Sequence, residues 1–302
     1  MKGISGFFTL AMFLQLVRST APYLCASLGG VWSERSGVVN IALEAKLLVA
    51  AFVSVAVHLA TASAWLGLLA GIAAGACVGV VHGFLVEYAR VNAIISGLAL
   101  NVFAVAITRV GLRTLYASSS NSPSIEAFGR HTSSGWAVWI EPHTVLPFAA
   151  LVLTILAFQH TPFGLRVRAV GEGPVEARAL GVNVTRTRIS ATAIGGAVAG
   201  LGGVALAYDL HQFQAGMSAG RGFVALAIVV ISGWRPAVVL LVTFVFSFLD
   251  TLQIAMQGSP SLAGYTVQAL PYVITLLALS IALSRGRVRA PRGLDQPAER
   301  TP

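Results

Sequence analysis

Long apolar runs broken by short polar stretches recur along most of the chain, and run length rather than strict alternation is the dominant pattern. Nine runs stand out, roughly 7–30, 38–60, 64–86, 91–112, 143–160, 188–208, 222–234, 236–256 and 266–284. Most approach or exceed the roughly 20 residues a helix needs to cross hydrocarbon. Backbone groups in lipid must be satisfied internally, so the expected form is helical. The short alternating segments of a membrane β-barrel are missing. The pattern therefore predicts an all-α, polytopic transmembrane bundle of about eight to nine spans. Arg18 and Pro22 interrupt the first run, and the seventh is too short to cross unless its Gly-rich start lies within the membrane.

Two local patterns concern packing. Gly67, Gly71, Gly75, Gly79 and Gly83 recur every four residues along the third run, forming a smooth stripe against which another helix can pack closely. Elsewhere, Ser27-Leu28-Gly29-Gly30-Val31 precedes a polar break and then a helix, and Gly200-Leu201-Gly202-Gly203-Val204 does the same. This weak echo suggests an internal repeat. Transporters built from repeats hold solute beside such interrupted helices.

Composition agrees with the pattern. The 302 residues are 56% hydrophobic and 10% charged, against about 25% charged in soluble domains. The net charge of +9 is spread between apolar runs rather than gathered on a soluble face, which argues for membrane topology and against a nucleic-acid partner. With the 161–188 loop placed in the cytoplasm, Arg35, Arg90, Arg166, Arg168, Arg178, Arg186, Arg188, Arg235 and the tail arginines all fall on that side. Loop 113–142 falls outside, as does the N-terminus, an assignment that Lys2 does not favour. Residues 1–284 read as one transmembrane domain, and 285–302 as a disordered basic cytoplasmic tail. Met1–Leu16 reads as the start of the first span, without a convincing cleavage site. Cys25 and Cys77 read as small buried hydrophobes.

Catalytic signatures are missing. GxxxxGK[ST], GxSxG, HExxH and CxxC do not occur, and the six histidines have no metal-ligand spacing, so no metal or cofactor is expected on this chain. Polar groups inside the runs are more informative, because burying them in lipid is costly. Asn40 and Glu44 are four apart, as if on one helix face, with Lys46 pointing elsewhere. Asn101 sits in mid-run. Asp209, His211, Gln212 and Gln214 cluster in a break, and Asp250, Gln253 and Gln257 are spaced as one face. Such groups either fix helix register or line a polar path for a neutral, hydroxyl-rich or heteroaromatic solute. An anion pore is disfavoured, since Arg109 and Arg221 stand alone near run ends.

The loop reads TPFGLRVRAVGEGPVEARALGVNVTRTR. Pro162 and Gly164 are expected to end the preceding span, and Gly171, Gly173 and Pro174 to make a tight turn. Pro174 then starts a short surface helix, Val175–Leu180, with Glu176 in its first turn and Gly181 at its end. Such an element suits a docking partner or anionic lipid headgroups equally well.

The run Arg168-Ala169-Val170-Gly171-Glu172, with Pro174, Ala177, Ala179 and Gly181-Val182-Asn183-Val184, resembles the coupling loop of ABC importer permeases of the nucleoside and simple-sugar branch. Glu34–Ile41 with Leu43-Glu44, Gly216-Met217, Gly220–Ala227, and Gly233-Trp234 with Pro236 resemble the same branch. The resemblance implies a bundle of two pseudo-symmetric halves in a bacterial cytoplasmic membrane. It implies pairing with a second permease, docking of an ATPase that uses ATP and Mg, and delivery of solute by an extracytoplasmic binding protein. It makes Arg168, Gly171, Glu172, Pro174, Ala177 and Gly181 the coupling residues. The expected path residues are Asn40, Glu44, Asn101, Asp209, Gln212, Asp250 and Gln253. The chain departs from the branch at Ala45-Lys46, where Gly and then Gln or Met are usual. The rival readings are an ion-driven secondary transporter using Glu44, Asp209 or Asp250, and a membrane scaffold.

Overall fold

A computed structural model describes residues 10–126, 128, 141–256, 273 and 290–294. Gln257, most of 266–284 and most of the tail lie outside the described residues. Within them the chain forms ten helices: α1 (Leu10–Glu34), α2 (Leu43–Thr61), α3 (Ala64–Glu87), α4 (Ala93–Tyr116), α5 (Pro142–His160), α6 (Pro162–Glu172), α7 (Pro174–Ala179), α8 (Val184–Asp209), α9 (Arg221–Ile231) and α10 (Pro236–Met256). Their starts are written locally. Side chains of Ser63, Asn92, Thr161 and Asn183 accept the first free N–H groups of α3, α4, α6 and α8. Left-handed Ala62 and Ala117 end α2 and α4.

Six helices, α2, α3, α4, α5, α8 and α10, are long and apolar enough to cross a membrane. These six are counted among the described residues, and the expected run 266–284 lies almost wholly outside them. Helix α9 has only 11 residues. Helix α1 is long enough at 25 residues but carries Arg18, Ser19 and Thr20. Its polarity fits its position, because protein rather than lipid surrounds it: Leu24, Cys25, Ala26, Ser27, Leu28 and Val31 are fully buried.

Helices α1, α2, α3 and α8 form the centre. The glycine stripe of α3 explains the closest approach. A Cβ on Gly75 would meet the carbonyl of Gly196 on α8, and one on Gly79 the carbonyl of Thr192. Gly71 lies against Val204 and Ala50, Gly67 against Tyr208 and Ser54, and Gly83 against Ile189 and Thr192. Lipid tails are as apolar as leucine, so close backbone approach supplies association energy that water would otherwise provide. The outward faces carry Val102, Phe103 and Val110 on α4, Val152, Leu153 and Leu156 on α5, and Leu241 and Val245 on α10, all exposed. Cys77 is also exposed on α3, against expectation. The glycine stripe turns the opposite face of that helix inward, so Cys77 is directed to the surface that lipid covers.

Polar bonds cross-brace the bundle. His82 on α3 bonds Ser96 Oγ at 3.0 Å and the Val39 carbonyl at 2.9 Å. Arg188, at the start of α8, bonds Glu87 Oε1 at 2.8 Å, and both side chains are 1% exposed. Arg188, one of the loop-side arginines, is a buried tie between α3 and α8. Of the tail, residues 290–294 are described, and they dock beside the coupling turn. Gly293 donates to the Gly171 carbonyl at 2.7 Å, its own carbonyl accepts from Arg188 at 3.4 Å, and Pro291 is buried.

Candidate solute path and coupling surface

Between α1 and α2 the chain does not stay helical. Ser33 holds the break by accepting from the Ser36 and Val38 N–H groups through its carbonyl and from Asn40 Nδ2, at 2.8 Å, through its hydroxyl. Asn40 therefore precedes α2, and the helix face expected for Asn40 and Glu44 does not form. The Asn40 side-chain oxygen Oδ1 instead accepts from Lys46 Nζ at 2.7 Å, and the Lys46 side chain is fully buried. The basic residue that departs from the branch thus ties down its own helix start. Asn101 on α4 holds the same start, accepting from the Ala45 N–H at 2.9 Å and donating to the Ile41 carbonyl at 3.0 Å.

Glu44, in the first turn of α2, reaches the other interrupted helix. Its two carboxylate oxygens accept from the Gly220 and Gly222 N–H groups, each at 2.8 Å. The positive end of α9 favours a carboxylate there. The 210–220 connection must therefore return into the bundle, and the short α9 begins against α2 rather than at a surface. A Cβ on Gly222 would overlap the Glu44 backbone, so only glycine permits this approach.

Around the N-terminal half of α1, polar groups from four other elements converge. Arg18 lies 3.5 Å from Asp209 at the end of α8, and Arg221 lies 3.5 Å from Asp250 on α10. Arg221 also donates to the Met217 carbonyl and lies over the Tyr23 ring, so it does not stand alone as expected. Glu141, just before α5, contacts His143 at 3.3 Å. Burial pushes the Glu141 carboxyl above its ordinary value, while Arg18 and His211 pull it back. Each pair sets one arginine against one carboxylate, and the buried atoms without a hydrogen-bond partner include Arg18 Nε, Asp209 Oδ1 and Asp250 Oδ2 of these pairs, His143 Nδ1 and Thr144 Oγ1 on α5, and Thr243 Oγ1 and Ser247 Oγ on α10. Unsatisfied buried polar atoms are costly, and a polar, uncharged solute is one kind of partner that such donors and acceptors suit.

Of the expected path residues, Asp209 and Asp250 fall in this group, each opposite an arginine. Glu44 packs on the start of α9. Asn40 and Asn101 are used in holding α2. Gln212 accepts from Asn121 at 3.2 Å, tying two outer loops together, and Gln253 is half-buried. Reading polar positions span by span missed Arg18, Arg221 and His143. The signal was present in Arg18, an arginine inside an apolar run, but it read as a helix break.

The coupling region lies at the other end of α1. Pro162 begins α6 rather than ending α5, because Thr161 is extended and its hydroxyl caps Gly164. Helix α7, Pro174–Ala179, follows the turn, with Glu176 in its first turn and Gly181 left-handed at φ +83°. Pro174 and Ala177 are buried, and Ala177 packs with Val170 and Val184. Glu172 is exposed, while Val175 is 60% and Leu180 84% exposed. The turn is seated on α1, since a Cβ on Gly171 would overlap the Arg35 carbonyl. Arg35 Nε donates to the Trp234 carbonyl at 2.9 Å, and Trp234 Nε1 donates to Glu34. Burial draws the Arg35 guanidinium below its ordinary value; Glu172 opposes this, and Arg168 and Arg235 add to it.

The chain matches the family described as branched-chain amino acid transport system / permease component over residues 12–283. It is 33% identical over 298 residues to the guanosine ABC transporter permease protein NupQ of Bacillus subtilis, covering 92% of each chain. It is 31% identical over 303 residues to the nucleoside ABC transporter permease protein NupC of Lactococcus lactis, again covering 92% of each. It is also 31% identical to the putative glucose ABC transporter permease protein TsgC13 of Haloferax volcanii, covering 92% of this chain and 93% of that one. No solved structure matches significantly. On the extent of that match, and with six helices able to cross a membrane, the chain belongs to the branched-chain amino acid transport system / permease component family, as a multi-pass membrane protein.

Proposed function

We propose that the chain is the membrane permease subunit of an ATP-binding cassette importer in a bacterial cytoplasmic membrane, carrying a nucleoside or a simple sugar. The observation that carries this reading is the charge-balanced group of Arg18, Asp209, Arg221 and Asp250 with its unpaired neighbours. Hydroxyls of a ribose or hexose can donate to the carboxylates and accept from the guanidinium groups, and no net charge is left to select an ion. The relatives named for guanosine and nucleosides favour a nucleoside.

In this reading the chain binds no cofactor itself. ATP and Mg act on a separate ATPase that docks on α7, whose Val175 and Leu180 side chains supply an apolar contact. A second permease completes the path, and an extracytoplasmic binding protein delivers solute. In the same reading α1–break–α2 and α8–break–α9 are the two pseudo-symmetric halves, as the echo of Ser27–Val31 in Gly200–Val204 suggests, and their second helices meet through Glu44, Gly220 and Gly222. Helix α1 is the transmitting element. Its inner end carries the Gly171 contact and its outer end Arg18, about 25 Å apart at 1.5 Å per residue. ATP-driven motion of α7 rocks α1 and opens or closes the charged pairs.

The test is reconstitution with the neighbouring ATPase and binding protein. Glu172→Gln and Leu180→Ser, both at exposed positions of the turn, are expected to abolish solute-stimulated ATP hydrolysis while the permease stays folded. Unchanged stimulation, or uptake by the chain alone under an imposed ion gradient, would overturn the reading. Against an ion-driven mechanism, Glu44 is already engaged by two backbone N–H groups.

A further inference from the structure

A second built site lies at the cytoplasmic end of the bundle, on the lipid side of the coupling turn. The end of α5, α6, the start of α10 and the residue after α1 enclose a cavity of about 270 Å3. Arg35, Arg168 and Arg235 line it, over an apolar floor that includes Ile155, Phe158 and Val238. Glu172 is the acidic group that acts on Arg35; the arginines outnumber it. Arg168 Nε is buried with no hydrogen-bond partner.

The surroundings point to what this cavity holds. Val152, Ile155, Leu156 and Gln159 fall at helical spacing on one stripe of α5, and Val238, Leu241 and Val245 on one stripe of α10. Val152, Leu156, Leu241 and Val245 are exposed on the outward face. Two apolar tracks suited to acyl chains thus run down the bundle and end at three arginines. A protein carboxylate would need the arginines but not the tracks. A soluble anion would gain nothing from the apolar floor.

We propose that this cavity binds the headgroup of an anionic phospholipid, with its phosphate at Arg168 and Arg235 and its chains along α5 and α10. Basic pockets between spans on the cytoplasmic side select acidic lipid by charge. Arg35 is already held by the Trp234 carbonyl and completes the positive wall. A lipid here touches α6 directly, so the acidic lipid content of the membrane bears on the helix that leads into the coupling turn.

The experiment uses the permease purified with whatever subunits accompany it. Native mass spectrometry counts lipids retained from mixed phosphatidylglycerol and phosphatidylcholine micelles. Each arginine adds about fivefold to binding of acidic lipid, so two give about thirtyfold preference for phosphatidylglycerol. Arg168→Gln with Arg235→Gln should remove that preference, and Arg235→Lys, which keeps the charge, should retain most of it. Equal retention of the two lipids by the unaltered protein overturns the proposal. So does displacement of phosphatidylglycerol by equimolar glycerol 1-phosphate, which would make the site one for a soluble anion. Retention of the lipid preference by the double variant, with loss of its ATPase, would assign the arginines to a protein carboxylate instead. If the double variant does not assemble, the comparisons on the unaltered protein decide the matter.

Discussion

Replacing Arg188 by glutamine is the sharpest perturbation the fold offers. Its guanidinium bonds Glu87 Oε1 at 2.8 Å and the Ser36 carbonyl at 3.1 Å, with 1% of its side chain exposed. Removing one member of a buried pair strands the other, and such losses run about 3–5 kcal/mol. Losing the bond to the Ser36 carbonyl adds about 1 kcal/mol. Glu87 Oε2 is already without a hydrogen bond, so no second contact on that oxygen compensates. The sum corresponds to a shift in the folded-to-unfolded ratio of about three to four orders of magnitude. Reversible unfolding in mixed dodecyl maltoside and SDS micelles, followed by circular dichroism, measures it. Adding Glu87→Gln to Arg188→Gln removes the stranded charge and should recover more than half of the loss. A single variant within about 1 kcal/mol of the unaltered protein, or a double variant no better than the single, refutes the claim that this pair ties α3 to α8.

Other expectations follow from the same geometry. Gly75→Val pushes a side chain into the Gly196 carbonyl and should lower the thermal midpoint in detergent by the effect of about 1–3 kcal/mol or more, whereas Ala74→Val on the same helix should change it little. Gly181→Ala costs only the left-handed conformation, about 1–2 kcal/mol, because nothing lies within 4 Å of its added carbon, and coupled ATP hydrolysis should survive. Glu44→Gln replaces two charge-assisted bonds to α9 by weaker ones and should reduce uptake without making it depend on an ion gradient. Asp209→Asn and Asp250→Asn each unbalance an arginine; solute affinity should fall several-fold in each, and a variant with unaltered affinity would remove that residue from the path.

How much of this was legible depended on the range of the interaction. The apolar spans and the surface helix were readable because they are local. Apolar runs of bilayer length force helices, a proline after a turn begins one, and a glycine every four residues leaves a groove whatever packs in it. Even here local reading faltered where one residue serves two roles. Pro162 was read as a stop because it follows an apolar run, yet with Thr161 capping it became a start. Asn40 was placed on a helix that begins three residues later.

What tertiary structure alone decided was the pairing of residues far apart in the chain. Arg18 meets Asp209 and Arg221 meets Asp250, while Glu44 meets the N–H groups of Gly220 and Gly222. Gly171 seats on Arg35, and Arg188 closes on Glu87. A charge in a sequence is only a cost awaiting a partner. Hydropathy says that the cost exists, and only the folded bundle shows which residue offsets it. The class of the protein therefore followed from the chain read in order, because lipid constrains every span alike. The arrangement of its path and the lipid-facing arginine cavity came from packing, because nothing local brings α1, α5, α6 and α10 to one place.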